Sequence, residues 1–303
     1  MQVGLIGLGK MGGSVARRLM KDGHDVIGVD GDSAALTALA DTAMQPAGDI
    51  YELVAQLPAP RIIWLMVPAG PATQQSIDKL AELLSDGDLI VDGGNSYYRD
   101  TLEQNERLAA KGIHLVDAGT SGGVAGLTHG FCLMVGGHTE SIVRLEPLLS
   151  SLAANDGQAW AHVGPCGAGH FVKMIHNGIE YGAMQAYAEG FALLEAKQDF
   201  QLDLGQIAAI WQQGSVVRSW LLDLIAGILN SETALEGLAP IVADSGEGRW
   251  TAQEAIDLGV STPVMTSALL ARFKSQDEGQ YGERLLAALR HQFGGHAVSK
   301  TES

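Results

Sequence analysis

The run Val3-Gly4-Leu5-Ile6-Gly7-Leu8-Gly9-Lys10-Met11-Gly12 limits the fold more than any other stretch of this 303-residue chain. An apolar, β-prone segment leads straight into glycines spaced GxGxxG, and a helical pattern follows. Each glycine answers a steric demand. Gly7 permits a tight turn out of the strand, Gly9 lets main chain approach a pyrophosphate, and Gly12 lets helix and strand pack closely. The helix N-terminus then offers its free N–H groups to the negative charge. Residues 7–12, with Leu8, Lys10 and Met11 between the glycines, are therefore the expected cofactor turn. Asp30 closes the second expected strand, where a carboxylate accepts hydrogen bonds from a ribose 2′-hydroxyl and repels a 2′-phosphate. Gly31, Asp32 and Ser33 follow it without an arginine to grip such a phosphate. NAD is favoured, with NADP possible. The alternative for Asp30 is a helix cap, a role that Asp32 or Ser33 can also fill.

The rest of the first half fits this opening. Apolar, β-rich runs at 3–7, 25–30, 62–67, 89–92, 114–117, 131–135 and 159–163 alternate with helical patterns at 12–21, 34–40, 73–84, 101–110 and 140–152. Buried strands alternating with amphipathic helices predict a largely parallel sheet covered on both faces, an α/β Rossmann-like domain. Beyond the glycine-rich 164–169 segment, helical spacing takes over. The expected division is a dinucleotide-binding domain over 1–165 and an all-helical substrate and dimerisation domain over 166–303. No repeat or low-complexity tract interrupts either part.

Charge narrows the partners. Against 19 basic residues stand 35 acidic ones, a formal charge of −16, which repels polyphosphate and argues against a nucleic-acid partner. An anionic substrate must then meet locally clustered cations. Cys132 and Cys166 are the two cysteines, in no CxxC pair, so neither a disulfide framework nor a zinc site is expected. Apolar segments are too short or too interrupted by charge to span a membrane, and no basic leader precedes the first strand. A cytoplasmic protein is expected.

The segment Gly169-His170-Phe171-Val172-Lys173-Met174-Ile175-His176-Asn177-Gly178-Ile179-Glu180-Tyr181-Gly182 carries the most information. With about 100° per residue, Lys173, His176, Asn177, Glu180 and Tyr181 fall within an arc of roughly 140° on one helix face. Phe171, Val172, Met174, Ile175 and Ile179 cover much of the remainder, so the helix is expected to be buried with its polar stripe facing a cavity or partners. An internal polar network or a solvated face is the alternative for any one of these residues.

The string KMIHNGIEYG is similar to the signature helix of the 6-phosphogluconate dehydrogenase family. Further similarities lie in chain order: Asp92-Gly93-Gly94-Asn95-Ser96, Ser121-Gly122-Gly123, Asp244-Ser245 with Gly248-Arg249-Trp250-Thr251, and Arg290 with Phe293-Gly294-Gly295-His296. The resemblance spans nearly the whole chain, and the short helical part resembles the family's short-chain branch. It implies oxidative decarboxylation of 6-phosphogluconate to ribulose 5-phosphate, with Lys173 as general base, Glu180 as general acid and no metal, since the lysine ammonium can do the polarising. The chemistry asks for a lysine below its ordinary value of about 10.4 and a glutamate raised enough to hold a proton. The resemblance further assigns the sugar-acid end to Asn95, Ser121, Gly122, Gly123, His176 and Asn177, and the phosphate to Tyr181 and Arg272. Met11, Val67, Ala69 and Asn95 fall on the nicotinamide side. Arg290 and His296 match tail residues that the family supplies from a second subunit, which implies a homodimer or tetramer.

Two positions depart from the family pattern. Pro68 stands where long-chain members have lysine in Val-Lys-Ala-Gly, and Ser245 aligns with a phosphate lysine, for which Arg249 is a possible replacement. A 3-hydroxyisobutyrate-type dehydrogenase shares the fold and a lysine but carries no acid at the position of Glu180. A non-catalytic NAD-binding sensor is the other alternative, and the intact Lys173–Glu180 pair weighs against it.

Overall fold

The computed structural model describes residues 1–231, 233, 235–294 and 297–299. Its strands are β1 (Gln2–Ile6), β2 (Asp25–Val29), β3 (Gln45–Pro46), β4 (Ile62–Leu65), β5 (Leu89–Asp92), β6 (His114–Ser121), β7 (Cys132–Gly136) and β8 (Trp160–Gly164). They form one sheet in the order β3-β2-β1-β4-β5-β6-β7-β8. Every pairing is parallel except that of β6 with β7. The order reverses between β1 and β4, the point at which doubly wound sheets open a crevice at their carboxyl ends.

Strand alternation divides the core between the two faces. Val3, Leu5, Ile62, Trp64, Leu89 and Val91 pack on one side. Ile6, Ile27, Ile63, Leu65, Ile90 and Leu115 pack on the other. Burying such side chains stabilises the fold by about 1.5–3 kcal/mol each, which fixes the register of every central strand. Helices Lys10–Lys21, Ile50–Gln56, Pro71–Leu83, Tyr98–Ala109 and Thr139–Leu152 cover the sheet. Asp32 caps the Ser33–Thr37 helix by accepting from the Ala34 N–H at 2.9 Å, and Asp49 caps Ile50–Gln56 by accepting from the Glu52 N–H at 2.8 Å.

Three features were not expected from sequence. β3 pairs with β2 through only two residues. The Ile50–Gln56 helix precedes β4. β6 runs past Asp117 to Ser121, because its glycine-containing end pairs antiparallel with β7 as far as Ser121↔Cys132.

The chain divides into two compact units, Met1–Asn177 and Gly178–Ser303. The division falls inside the helix Ala168–Ala196, beyond the expected boundary near residue 166, because the first turns of that helix pack on the sheet. The second unit is helical: Leu204–Gly214, Trp220–Leu229, Glu247–Leu258, Pro263–Gln276 and Tyr281–Gly294 follow. Among its described residues, buried apolar side chains cluster in two small groups, Tyr181 with Ala268 and Leu269, and Ala208 with Leu222 and Ala226. Among the described residues, no helix is long and apolar enough to cross a membrane.

Candidate active site

The turn after β1 has the shape its glycines predict. Gly7 adopts φ +90°, and a Cβ there would stand 2.5 Å from the Met66 carbonyl oxygen. At Gly12 a Cβ would come within 1.9 Å of the Gly7 carbonyl oxygen, so only hydrogen fits where the helix crosses the turn. Gly9 has open space on its Cβ side, which leaves main chain bare toward a cavity.

That cavity has a volume of about 850 Å³ and lies wholly within the first unit. Of the expected cofactor residues, Gly7, Gly9, Lys10, Met11, Gly12, Asp30, Val67, Ala69 and Asn95 line it. Leu8 does not; its side chain is buried in the core and its N–H donates to Asp30 Oδ2 at 2.6 Å. Asp30 Oδ1 accepts the Asp32 N–H at 2.8 Å, so the carboxylate is fixed at the wall, and capping of the next helix falls to Asp32. Tyr51, Ser76, Lys79 and Thr120 also line the space, and no sequence motif announced them. Bare glycine backbone, a helix N-terminus and a fixed carboxylate in one crevice fit a dinucleotide.

The helix Ala168–Ala196 begins against β6. Asp117, fully buried, accepts the Gly167 N–H at 2.7 Å and the His170 N–H at 2.8 Å, which satisfies donors that a helix start leaves open. His170 Nε2 lies 3.2 Å from the Asp92 carbonyl oxygen and Nδ1 lies 2.8 Å from Thr101 Oγ1. Asp92 in turn shapes its own turn, accepting the Gly94 N–H at 3.0 Å and the Ser96 hydroxyl at 2.7 Å around Asn95. Lys173 is 6% exposed, and a Cβ on Gly119 would lie 2.4 Å from its Cβ. One turn on, His176 Nε2 stands 3.4 Å from Ser121 Oγ, and its Nδ1 stands 3.0 Å from Asn177 Oδ1. Gly122 and Gly123 follow with φ of +129° and +51°, conformations that favour glycine. Thus Lys173, His176, Asn177 and Ser121 gather at the carboxyl end of β6. Asp117, His170 and Gly119 hold the same place, and the sequence reading had given them no role.

In the second unit, Tyr181 is buried and its hydroxyl lies 3.3 Å from both Asp244 Oδ1 and Ser245 Oγ. The Arg272 guanidinium sits 3.4 Å from the Tyr181 ring centre and donates to the Ala243 carbonyl at 2.9 Å. The two expected phosphate residues are therefore neighbours. Arg249 forms an ion pair with Asp244 and lies 4.5 Å from the Phe273 ring centre. Burial works to raise Asp244, but the Arg249 guanidinium, the Gly246 N–H and the Tyr181 hydroxyl hold it below the usual carboxylate range. Glu180 is half-buried on the long helix, and Arg290 is exposed on Tyr281–Gly294. His296 lies outside the described residues.

Residues 2–164 match the family described as the NAD binding domain of 6-phosphogluconate dehydrogenase, and residues 169–303 match that enzyme's C-terminal domain. The chain belongs to the 6-phosphogluconate dehydrogenase family. The NAD(+)-dependent, decarboxylating member from Haloferax volcanii is 41% identical over 304 residues, with all of both chains covered. The NADP(+)-dependent, decarboxylating member from Bacillus subtilis is 37% identical over 90% of this chain and 61% of its own length. Among solved structures, Plasmodium falciparum 6-phosphogluconate dehydrogenase, studied with NADP+ and with 6-phosphogluconate, superposes with a TM-score of 0.84 at 26% identity. It covers 100% of this chain, which spans 67% of that one. Members of both lengths therefore share the Rossmann-like sheet followed by helices that this chain displays.

Proposed function

We propose that this family member oxidises and decarboxylates 6-phosphogluconate with NAD, giving ribulose 5-phosphate and carbon dioxide. The observation that carries the reading is Lys173, buried against Gly119 beside Ser121, His176 and Asn177, with Glu180 seven residues further along the same continuous helix. Seven residues are close to two helical turns, so the two side chains leave one face.

Bound NAD supplies the hydride acceptor for C3 of the sugar acid. Lys173 Nζ takes the proton of the C3 hydroxyl as general base. The ammonium so formed then stabilises the negative charge that builds on the C3 oxygen as the bond between C1 and C2 breaks and its electrons move toward that oxygen. Glu180 donates a proton to the carbon that lost carboxylate, which converts the enediol to the ketose. Ser121, Gly122, Gly123, Asn95, His176 and Asn177 hold the sugar-acid end, and Tyr181 with Arg272 takes the phosphate. Asp30 favours NAD, as the name of the Haloferax volcanii relative also suggests, and NADP remains a slower cosubstrate.

The protein acts as a homo-oligomer, with Arg290 and His296 reaching the partner's substrate. The Trp220–Leu229 helix supports self-association: Trp220, Leu224 and Ile228, four residues apart, are 53%, 50% and 43% exposed on one stripe.

Initial rates with 6-phosphogluconate and gluconate, each with NAD and NADP, test the reading. Turnover is expected with 6-phosphogluconate and NAD, with one carbon dioxide released per NADH. Hydride transfer without carbon dioxide would point to a simple β-hydroxyacid dehydrogenase, and full turnover by Lys173→Ala would remove the mechanism.

A further inference from the structure

The long helix and the Asn95 turn meet through one imidazole. His170 is 1% exposed and stands one helical turn before Lys173. A carbonyl oxygen only accepts, so the 3.2 Å contact with the Asp92 carbonyl requires hydrogen on Nε2. Nδ1 pairs with Thr101 Oγ1, on the Tyr98–Ala109 helix, at 2.8 Å. The main chain of His170 is held separately, its N–H donated to Asp117 Oδ2. Next along the helix, Phe171 meets the Tyr98 ring edge-on, with centres 5.2 Å apart.

Asp92 is the other end of this link. Its carboxylate builds the turn that carries Asn95, through Gly94 and Ser96, while its carbonyl receives the imidazole. Gly93, Gly94 and Asn95 line the dinucleotide cavity. The side chain one turn ahead of the proposed base is thus bonded to the root of a cofactor-facing turn.

We infer that His170 is a positioning residue: through the Asp92 carbonyl it sets the separation between the Asn95 turn, which faces the cofactor, and Lys173, which faces the carbon to be oxidised. Its contact with Thr101 steers the ring and does not carry this coupling. A buried hydrogen bond of fixed geometry suits the task, since small misplacements of reacting groups cost large factors in rate. The kinetic consequence rests on the proposed dehydrogenase reading, whereas the mechanical link does not.

The two bonds can be separated by substitution. A glutamine at this position places an amide nitrogen where Nε2 stands and keeps the donor to Asp92. An asparagine places its amide where Nδ1 stands and keeps only the Thr101 contact. Full-length wild type, His170→Gln, His170→Asn and His170→Ala are compared by hydrogen–deuterium exchange, thermal unfolding and steady-state kinetics with 6-phosphogluconate and NAD. In His170→Asn, amides at 93–96 should exchange about tenfold faster, while amides of β1 and β4 keep wild-type rates. Its kcat should fall about tenfold or more, with KM for the sugar acid changed much less. His170→Gln should restore both exchange and kcat to within about threefold of wild type.

Equal losses in His170→Gln and His170→Asn, with faster exchange throughout the first unit, would reduce His170 to a packing residue and overturn the inference. Wild-type exchange at 93–96 in both variants would overturn it as well. If wild type shows no turnover with 6-phosphogluconate, the functional reading fails alone, and the exchange pattern still decides the link.

Discussion

Gly119 has no side chain, and Lys173 occupies the space one would need. A methyl group there would lie 2.4 Å from Lys173 Cβ and 2.8 Å from the Gly169 carbonyl oxygen, both on the helix that β6 supports. Gly119→Ala must therefore push that helix outward. We expect about 1–3 kcal/mol of lost stability, of the size seen for overpacked cores. The fall in kcat should exceed what the stability loss explains, because the displaced residue is the base we propose; unfolding curves and rates at saturating substrate check both. Cys166 shows the opposite case, a reactive group made inert. Burial, and after it the neighbouring Asp117 carboxylate, pushes its thiol far above the ordinary value. Thiolate is the nucleophile, so Cys166 should resist a disulfide reagent at pH near 8 in the native protein. Exposed Cys132 should react at once. Titration should give one fast thiol, with the second appearing only on unfolding.

Contacts between elements decide where stability depends on pH. His24, ahead of β2, pairs through Nε2 with Ser151 Oγ of the Thr139–Leu152 helix at 2.9 Å. Burial holds this imidazole below its ordinary value. The unfolded chain then binds the proton more readily, so this contribution is full above about pH 6.5 and is lost as pH falls through the lowered native value. Thermal midpoints should drop on acidification from pH 7 through that window, and His24→Gln should flatten the dependence. Helices and strands differ in how much of them the sequence makes readable. Seven of the eight strands and the opening helix were readable because apolar periodicity and the GxGxxG spacing are local signals. β3 has two residues, one of them Pro46, too little for any period to register. The end of β6 was lost because Gly119 and Gly122 imitate a turn, while its strand character comes from pairing with β7. Lys173, His176, Asn177 and Ser121 could be named because they share a face or a motif. Asp117 and His170 could not, because capping across 50 residues leaves no local trace.

At the scale of the molecule, the second unit poses a question of burial. Among its described residues, buried apolar groups are few, while Ile210, Trp220, Leu224 and Ile228 are exposed. Proteins rarely leave such faces to water, and a second copy of this chain is the cover we propose. Light scattering after gel filtration should return at least twice the mass of one chain, and Leu224→Glu should shift it toward one. The dinucleotide cavity, by contrast, is lined among the described residues by positions up to Thr120, all in the first unit. With the second copy we propose, holding the coenzyme and completing the reaction obey different laws of mass action. On dilution, NADH affinity should stay constant while specific activity declines, so that scarce protein becomes a reservoir of coenzyme and only abundant protein a catalyst.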